Sequence, residues 1–260
     1  MFLLAMLLPS LVNADEPSSS FADYDGLEPV ASRVTRVRVQ PEHHARIQAD
    51  GIDLPLEYAR GEEADLLGAV EKNEIKKVQA LLKDGVSPNA RDYWRDSALL
   101  RAVRKDNFEM VVLLLEYGAE VNVKGRGYTP LGVAAKNNDL PVLKLLLKAG
   151  ANPDRKSDDG NTPLHAAVFM NYPEVVKALL KAQPDLRIFN RAGMTALAVA
   201  AAEGREEIAL LLMDAGADIT LGDKAGNPPL WWAYNQGKPP MVAMLTARGA
   251  TLVGRLPAGK

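Results

Sequence analysis

Small, apolar and polar residues recur along most of this chain with a period of 33 residues, shortened once to 32. One alanine marks each period, at Ala69, Ala102, Ala134, Ala167, Ala200 and Ala233. A leucine follows it at Leu81, Leu114, Leu146, Leu179, Leu212 and Leu245, and a glycine comes next at Gly85, Gly118, Gly150, Gly216 and Gly249. Such a period is typical of a solenoid, in which similar units stack and no single unit forms a deep active site.

Each period predicts two helices and a turn. Thr162 is a suitable N-cap, and Pro163 suits the first position of a short helix, where its missing N–H costs nothing. A second helix is predicted over residues 141–149, whose apolar residues form a wide stripe at helical spacing. Gly150 favours a left-handed turn at its end, and the polar residues 152–161 predict a loop that returns to the next pair.

One stretch carries a family signature. Residues 162–167, Thr-Pro-Leu-His-Ala-Ala, resemble the motif of the ankyrin-repeat family, and degenerate forms occur at residues 97–99, 129–131, 195–197 and 228–230. The resemblance covers residues 62–252. It implies an all-α solenoid of about six helix-turn-helix units with β-hairpin fingers between them. It also implies a structural role for His165, which would tie the turn to neighbouring backbone.

The repeat register divides the chain into segments. The predicted units cover residues 62–92, 93–124, 125–156, 157–189, 190–222 and 223–252, with the first and last units as caps. The finger between the second and third units is one residue short, and we expect Gly125 and Gly127 to absorb the difference. The fourth unit carries Gln183-Pro184 in place of glycine-alanine, so we expect local irregularity there. A tail of residues 253–260 follows.

The N-terminal 61 residues do not follow the repeat. An apolar run over residues 2–12 is followed by Val12-Asn13-Ala14 and a polar stretch, which resembles a secretory signal peptide with cleavage after Ala14. No Lys or Arg precedes the run, so a buried helix is the alternative. The sequence thus predicts a periplasmic or secreted protein. Residues 15–61 are interpreted as an extension, partly flexible, that folds back as an extra cap.

Charge and composition narrow the function. Residues 62–252 contain 24 Lys and Arg and 24 Asp and Glu, so the predicted solenoid lacks the basic footprint of a nucleic-acid binder. The chain has no cysteine and three histidines, of which His43 and His44 are adjacent and point apart. No nucleophile, base and orienting group occur together. We therefore expect no catalytic residue, metal or cofactor, and no further apolar run suggests an integral membrane domain.

Residues left over after the core is assigned form the candidate site. Aromatic and Arg residues are enriched at binding hot spots. The predicted partner-binding residues are Tyr93, Trp94, Asp96, Arg104, Lys105, Arg126, Tyr128, Lys136, Asn161, Phe169 and Met170. The family resemblance implies a non-enzymatic protein that binds a protein partner on the concave face formed by the fingers and first helices. We expect the protein to be a monomer. An inhibitor or immunity-type protein that blocks one target is an alternative, and an effector enzyme within residues 15–61 is a third.

Overall fold

The structure of the protein is a computed structural model and describes residues 61–252. Within this range twelve helices follow one another in pairs. The helices that open the six pairs are α1 Glu62–Glu71, α3 Ala98–Arg104, α5 Pro130–Lys136, α7 Pro163–Phe169, α9 Ala196–Glu203 and α11 Pro229–Asn235. Their partners are α2 Ile75–Lys83, α4 Phe108–Glu116, α6 Leu140–Lys148, α8 Pro173–Lys181, α10 Glu206–Asp214 and α12 Pro239–Ala247. This confirms the predicted all-α solenoid. The predicted signal peptide, extension and tail lie outside the described residues.

The repeated alanines lie where the first helices approach one another. All six are buried, each with 1% or less of its surface exposed. The first helices pack in a row from α1 to α11, and the second helices form a row from α4 to α12 behind them. The leucine series is also buried, except that Leu81 in the terminal unit is only partly covered. Burial of this continuous apolar layer between neighbouring units is the main stabilising term of the array.

Polar caps begin the first helices as the sequence predicted. The hydroxyl of Thr162 accepts a hydrogen bond from the His165 amide, and Ser97, Thr129 and Thr195 act in the same way. Each cap satisfies one of the amides that a helix N-terminus leaves without an intrahelical partner. The turns into α3, α5, α7 and α9 are therefore fixed by the residue directly before each helix, whereas α1 and α11 begin after Gly61 and Pro228 without a side-chain cap.

We call the segments between successive pairs fingers 1 to 5, covering residues 84–97, 117–129, 149–162, 182–195 and 215–228. The β-hairpins implied by the family resemblance are not formed as strands in the described residues. Finger 1 contains a single bridge between Arg91 and Ser97, and finger 2 one between Gly125 and Tyr128. The other fingers close with turn hydrogen bonds of the backbone, such as that from the Asn190 amide to the Met194 carbonyl at 2.9 Å. One residue pair per finger is too short for a strand.

Neighbouring fingers are joined by a ladder of side-chain-to-backbone hydrogen bonds. The Oδ1 atom of Asn89 accepts from the amide of Glu120 in the next finger at 2.7 Å. Asn122 and Asp154 repeat this contact one and two fingers further on, at 2.8 and 3.0 Å. The ladder holds the first four fingers side by side.

The ends of the second helices show one departure from the repeat. In five units a glycine with φ between 84° and 93° ends the helix, and the amide of the next residue donates to a helix carbonyl, as Ala151 does to Leu146. In the fourth unit Gln183 takes this left-handed conformation with φ 53°, and Pro184 has no N–H to donate. The irregularity predicted here is present, and the chain path is nevertheless kept.

Candidate partner-binding surface

Two aromatic side chains project from the tip of finger 1. Tyr93 and Trp94 are 60% and 58% exposed, and their rings meet edge to face with centroids 5.1 Å apart. The Trp94 amide donates to the Oδ1 atom of Asp92 at 2.8 Å, which fixes the turn below the rings. The sequence predicted both residues on the surface, and the structure places them there as one contiguous aromatic patch.

Arg126 of finger 2 reaches across to this patch. Its guanidinium carbon lies 5.5 Å from the centroid of the Trp94 ring, in cation–π geometry. Its Nε atom lies 3.0 Å from the Oδ2 atom of Asp96, and its amide donates to the Trp94 carbonyl at 3.3 Å. We call the pair formed by Asp96 and Arg126 the ionic connection between fingers 1 and 2. It holds the guanidinium and the indole ring together before any partner arrives.

Asp96 corrects one prediction. It was expected on the surface with the other site residues, but only 2% of it is exposed. The reason is its place directly before the N-cap Ser97, where the chain turns inward and Gly125 of finger 2 packs against it. Its Oδ2 atom pairs with both Arg104 and Arg126, while its Oδ1 atom has no hydrogen-bond partner in the described residues. Asp96 therefore positions two arginines and does not itself face a partner.

Arg104 and Lys105 lie at the end of α3 and extend the surface toward the first unit. Lys105 contacts the Oε1 atom of Glu71 at 2.8 Å, and Arg101 lies 3.7 Å from the same carboxylate. The hydrogen bond from Lys105 lowers the pKa of Glu71 against the opposing effect of burial, and the positive charges nearby act in the same direction as the hydrogen bond. These pairs fix the C-terminal ends of α1 and α3 relative to each other.

The third and fourth units supply the remaining predicted residues. The Nζ atom of Lys136 lies 5.1 Å from the centroid of the half-buried Tyr128 ring. Phe169 occupies the position in α7 that Lys136 occupies in α5, and it is 58% exposed, with Met170 beside it at 38%. The structure thus arranges Arg104, Lys136 and Phe169 as successive members of one series along the first helices.

Asn161 lies in the base of finger 3 and is half-buried. Its amide donates to the Oδ1 atom of Asp159 at 3.0 Å. Burial acts to raise the pKa of Asp159, but hydrogen bonds from Ser157 and Asn161 and the charge of Lys136 outweigh it and lower that pKa. Asn161 therefore shapes finger 3, one finger beyond the one that carries Arg126 and Tyr128.

The sequence prediction missed a groove on the finger side. It has a volume of about 500 Å³ and is lined by residues of fingers 1, 2 and 3, including Trp94 and Arg126. Arg95, Lys124 and Arg155 also line it and were not predicted as site residues. The available signal was Arg95, which stands where fingers 3, 4 and 5 carry Gly160, Gly193 and Gly226.

His165 has the structural role that the family resemblance implied. It is buried, its Nδ1 atom lies 2.8 Å from the Thr162 hydroxyl, and its Nε2 atom lies 3.1 Å from the Met194 carbonyl. Burial lowers the pKa of His165 to about 4, against the opposing effect of the Met194 carbonyl. The neutral ring donates from Nε2 and accepts at Nδ1. We call this the histidine connection, which joins α7 to finger 4.

Among residues 61–252, no group of three or more His, Asp or Glu side chains is placed to hold a metal ion. No helix in the same range has the length and apolar character needed to cross a bilayer.

The stacked helix pairs and their fingers define a helical-repeat protein of the binding-scaffold class. The family model described as ankyrin repeats (3 copies) matches residues 66–157 and 131–223. A crystal structure of an ankyrin repeat domain from Acinetobacter baumannii AYE is 30% identical, with a TM-score of 0.68, and the match covers 73% of this chain and all of that domain. No curated protein sequence matches the chain. The chain belongs to the ankyrin-repeat family, whose repeats are protein-interaction modules and typically non-catalytic.

Proposed function

We propose that this protein is a non-enzymatic binding module that recognises a protein partner through the finger and first-helix surface of its second, third and fourth units. The observation that carries the proposal is the exposed Tyr93–Trp94 pair with Arg126 held over the indole ring. Exposed aromatic rings of this size are costly in water and are enriched, with Arg, among the residues that dominate binding energy.

Pre-organisation supports the same surface. The ionic connection anchors Arg126 through the buried carboxylate of Asp96, and Arg104 shares that carboxylate. A partner that packs on Trp94 therefore meets a guanidinium whose position is already fixed, so less side-chain entropy is lost on binding. The balanced charge of residues 62–252 favours a protein partner over a polyanion.

A double variant tests this surface. We expect Trp94→Ala with Tyr128→Ala to weaken partner binding by about thirtyfold, which corresponds to roughly 2 kcal/mol. The partner is first obtained by crosslinking intact cells that express the wild-type protein, and its affinity for each variant is then measured with purified proteins. Tyr234→Ala is the matched control, because Tyr234 is 46% exposed but lies in the last unit. Full affinity in a double variant with wild-type circular dichroism would place the interface elsewhere.

The proposed function includes export from the cytoplasm, with removal of residues 1–14. The apolar run over residues 2–12 and the Val12-Asn13-Ala14 segment support it. Expression of the full chain in a bacterium should give a periplasmic product whose N-terminus is Asp15 by mass spectrometry. A cytoplasmic product of full mass would contradict export without affecting the binding surface.

A further inference from the structure

The groove below the fingertips carries an excess of positive charge. Five basic side chains line it, namely Arg91, Arg95, Lys124, Arg126 and Arg155. Only two carboxylates, those of Glu120 and Asp158, share the lining. The solenoid as a whole is neutral, so this excess is local to fingers 1 to 3. A cleft lined by one sign of charge concentrates ligands of the opposite sign.

The two carboxylates are already paired. Glu120 contacts Arg91 at 2.7 Å, and Asp158 contacts Lys124 at 2.5 Å. Arg126 is engaged by the buried Asp96. This leaves Arg95 and Arg155, which form no ion pair with any other residue between 61 and 252. Two guanidinium groups are thus available within one groove.

The backbone at Arg95 gives an independent indication. Arg95 has φ 62°, a left-handed conformation that the aligned residues of fingers 3, 4 and 5 adopt as glycine, with φ between 79° and 86°. An arginine here costs on the order of 1 kcal/mol relative to glycine. Non-glycine residues held in this region cluster at ligand-binding sites. Arg95 lies in the finger that also carries the exposed aromatic pair, and Arg126, which lines the same groove, has φ 42°.

We propose that this groove binds an extended acidic segment of the protein partner, with Arg95 and Arg155 each receiving a carboxylate. The inference rests on the proposed function, since it names the chemistry of the partner segment that enters beside Trp94. Guanidinium groups match carboxylates in bidentate geometry, and the Trp94 ring offers an apolar face to a side chain between the acidic residues.

A second cavity of about 530 Å³ lies next to the groove. It shares Asp158 with the groove and is lined in addition by Lys156, Arg187, Arg191 and Lys224. Asp158 and Asp185 interrupt the basic lining at intervals. A phosphate backbone that followed both cavities would pass close to these two carboxylates, whereas a peptide with spaced acidic residues can avoid them. This favours an acidic peptide over a nucleic acid.

The test measures binding of a labelled ten-residue peptide of alternating Glu and Ser to the full-length protein by fluorescence anisotropy at low salt. We expect Arg95→Gln with Arg155→Gln to weaken binding at least about tenfold, and we expect wild-type binding to weaken as salt is added. The control is Lys144→Gln with Lys181→Gln, which removes the same charge from exposed positions on α6 and α8 and should bind as the wild type does.

Three results would overturn the inference. The wild-type protein could ignore the peptide, the groove variant could bind it as well as the charge-matched control does, or a single-stranded oligonucleotide of equal charge could bind more tightly than the peptide. The proposed function is tested separately by the partner captured from cells. If the groove variant retains that partner and the Trp94 and Tyr128 variant loses it, the acidic-segment inference fails while the binding surface stands.

Discussion

The ionic connection and the histidine connection both join neighbouring units of the array, the first through charged groups and the second through neutral ones. Asp96 joins finger 1 to Arg126 of finger 2 through charges, and the turn before it contains Arg95 in a left-handed conformation. His165 joins α7 to finger 4 through neutral hydrogen bonds, and the turn before it contains Gly160. Both join neighbouring units, but only the ionic connection ends in a side chain on the surface.

The residues of the histidine connection serve the fold alone, whereas those of the ionic connection also position a side chain at the surface. The histidine connection uses buried motif residues and adds nothing to the exterior. The ionic connection buries a carboxylate, which is costly unless it is paired, and it holds Arg126 half-exposed over Trp94. Natural sequences tend to break local rules of stability at functional sites, and finger 1 breaks two of them at adjacent residues.

The largest expected effect is a change of stability with pH that distinguishes the histidine connection from the ionic connection. His165 has a pKa of about 4 when folded, against 6.5 as its ordinary value. Its contribution to stability is therefore complete above pH 6.5 and is lost as the pH falls through 6.5 toward 4. The shift corresponds to roughly 3 kcal/mol. We expect the unfolding free energy of the wild type, measured in urea, to fall over this window more than that of His165→Gln, because the variant lacks the titrating imidazole.

Because the wild type and His165→Gln share the same carboxylates, the effect of carboxylate titration on stability cancels when the two are compared. Hydrogen exchange should show which finger opens first as the pH falls. Residues 190–195 of finger 4 should lose protection at pH 5 before residues 124–129 of finger 2 do. Parallel stability curves for the wild type and the variant would show that His165 is not the titrating link.

A smaller effect is expected at the contact between fingers 1 and 2. A Cβ atom added at Gly125 would lie 2.5 Å from the Asp96 Oδ1 atom and 2.6 Å from the Arg95 carbonyl oxygen. Gly125→Ala should therefore separate the two fingers and lower the unfolding free energy by about 2 kcal/mol. Gly68→Ala is the control, because Gly68 lies within α1 with no atom within 4 Å of the added Cβ, and it should be neutral or slightly stabilising. Equal midpoints for the two variants in urea would refute the close contact.

The smallest expected effect is a gain in stability. Arg95→Gly should remove the strain of the left-handed conformation and raise the unfolding free energy by about 1 kcal/mol. Gln183→Gly should give a similar gain, since Gln183 has φ 53° in a turn outside the groove. Only the Arg95 variant should lose affinity for the acidic peptide. A loss in both variants, or in neither, would remove the distinction between strain kept for binding and strain that is incidental.

Most of the fold could be predicted because it repeats. The alanine series, the threonine caps and the role of His165 each depend on contacts that are local or recur at a fixed interval, so one sequence period predicts them. The site was less predictable. The exposure of Trp94 and Phe169 follows from subtraction of the core, but the burial of Asp96 depends on how Gly125 of the next finger packs. The groove depends on three fingers at once, and no single period contains its pattern.

In the fourth unit, Gln183 and Pro184 replace the usual glycine and its hydrogen-bonding neighbour. This unit shows that the chain path does not depend on the local sequence of each turn alone. The turn is made there without its local signal, because the units on either side impose the same geometry. In an array of this kind, structural information is redundant across neighbours. A single unit can therefore drift in sequence without redirecting the units that follow it, and finger 1 could acquire its unusual residues inside a path maintained by the rest of the array.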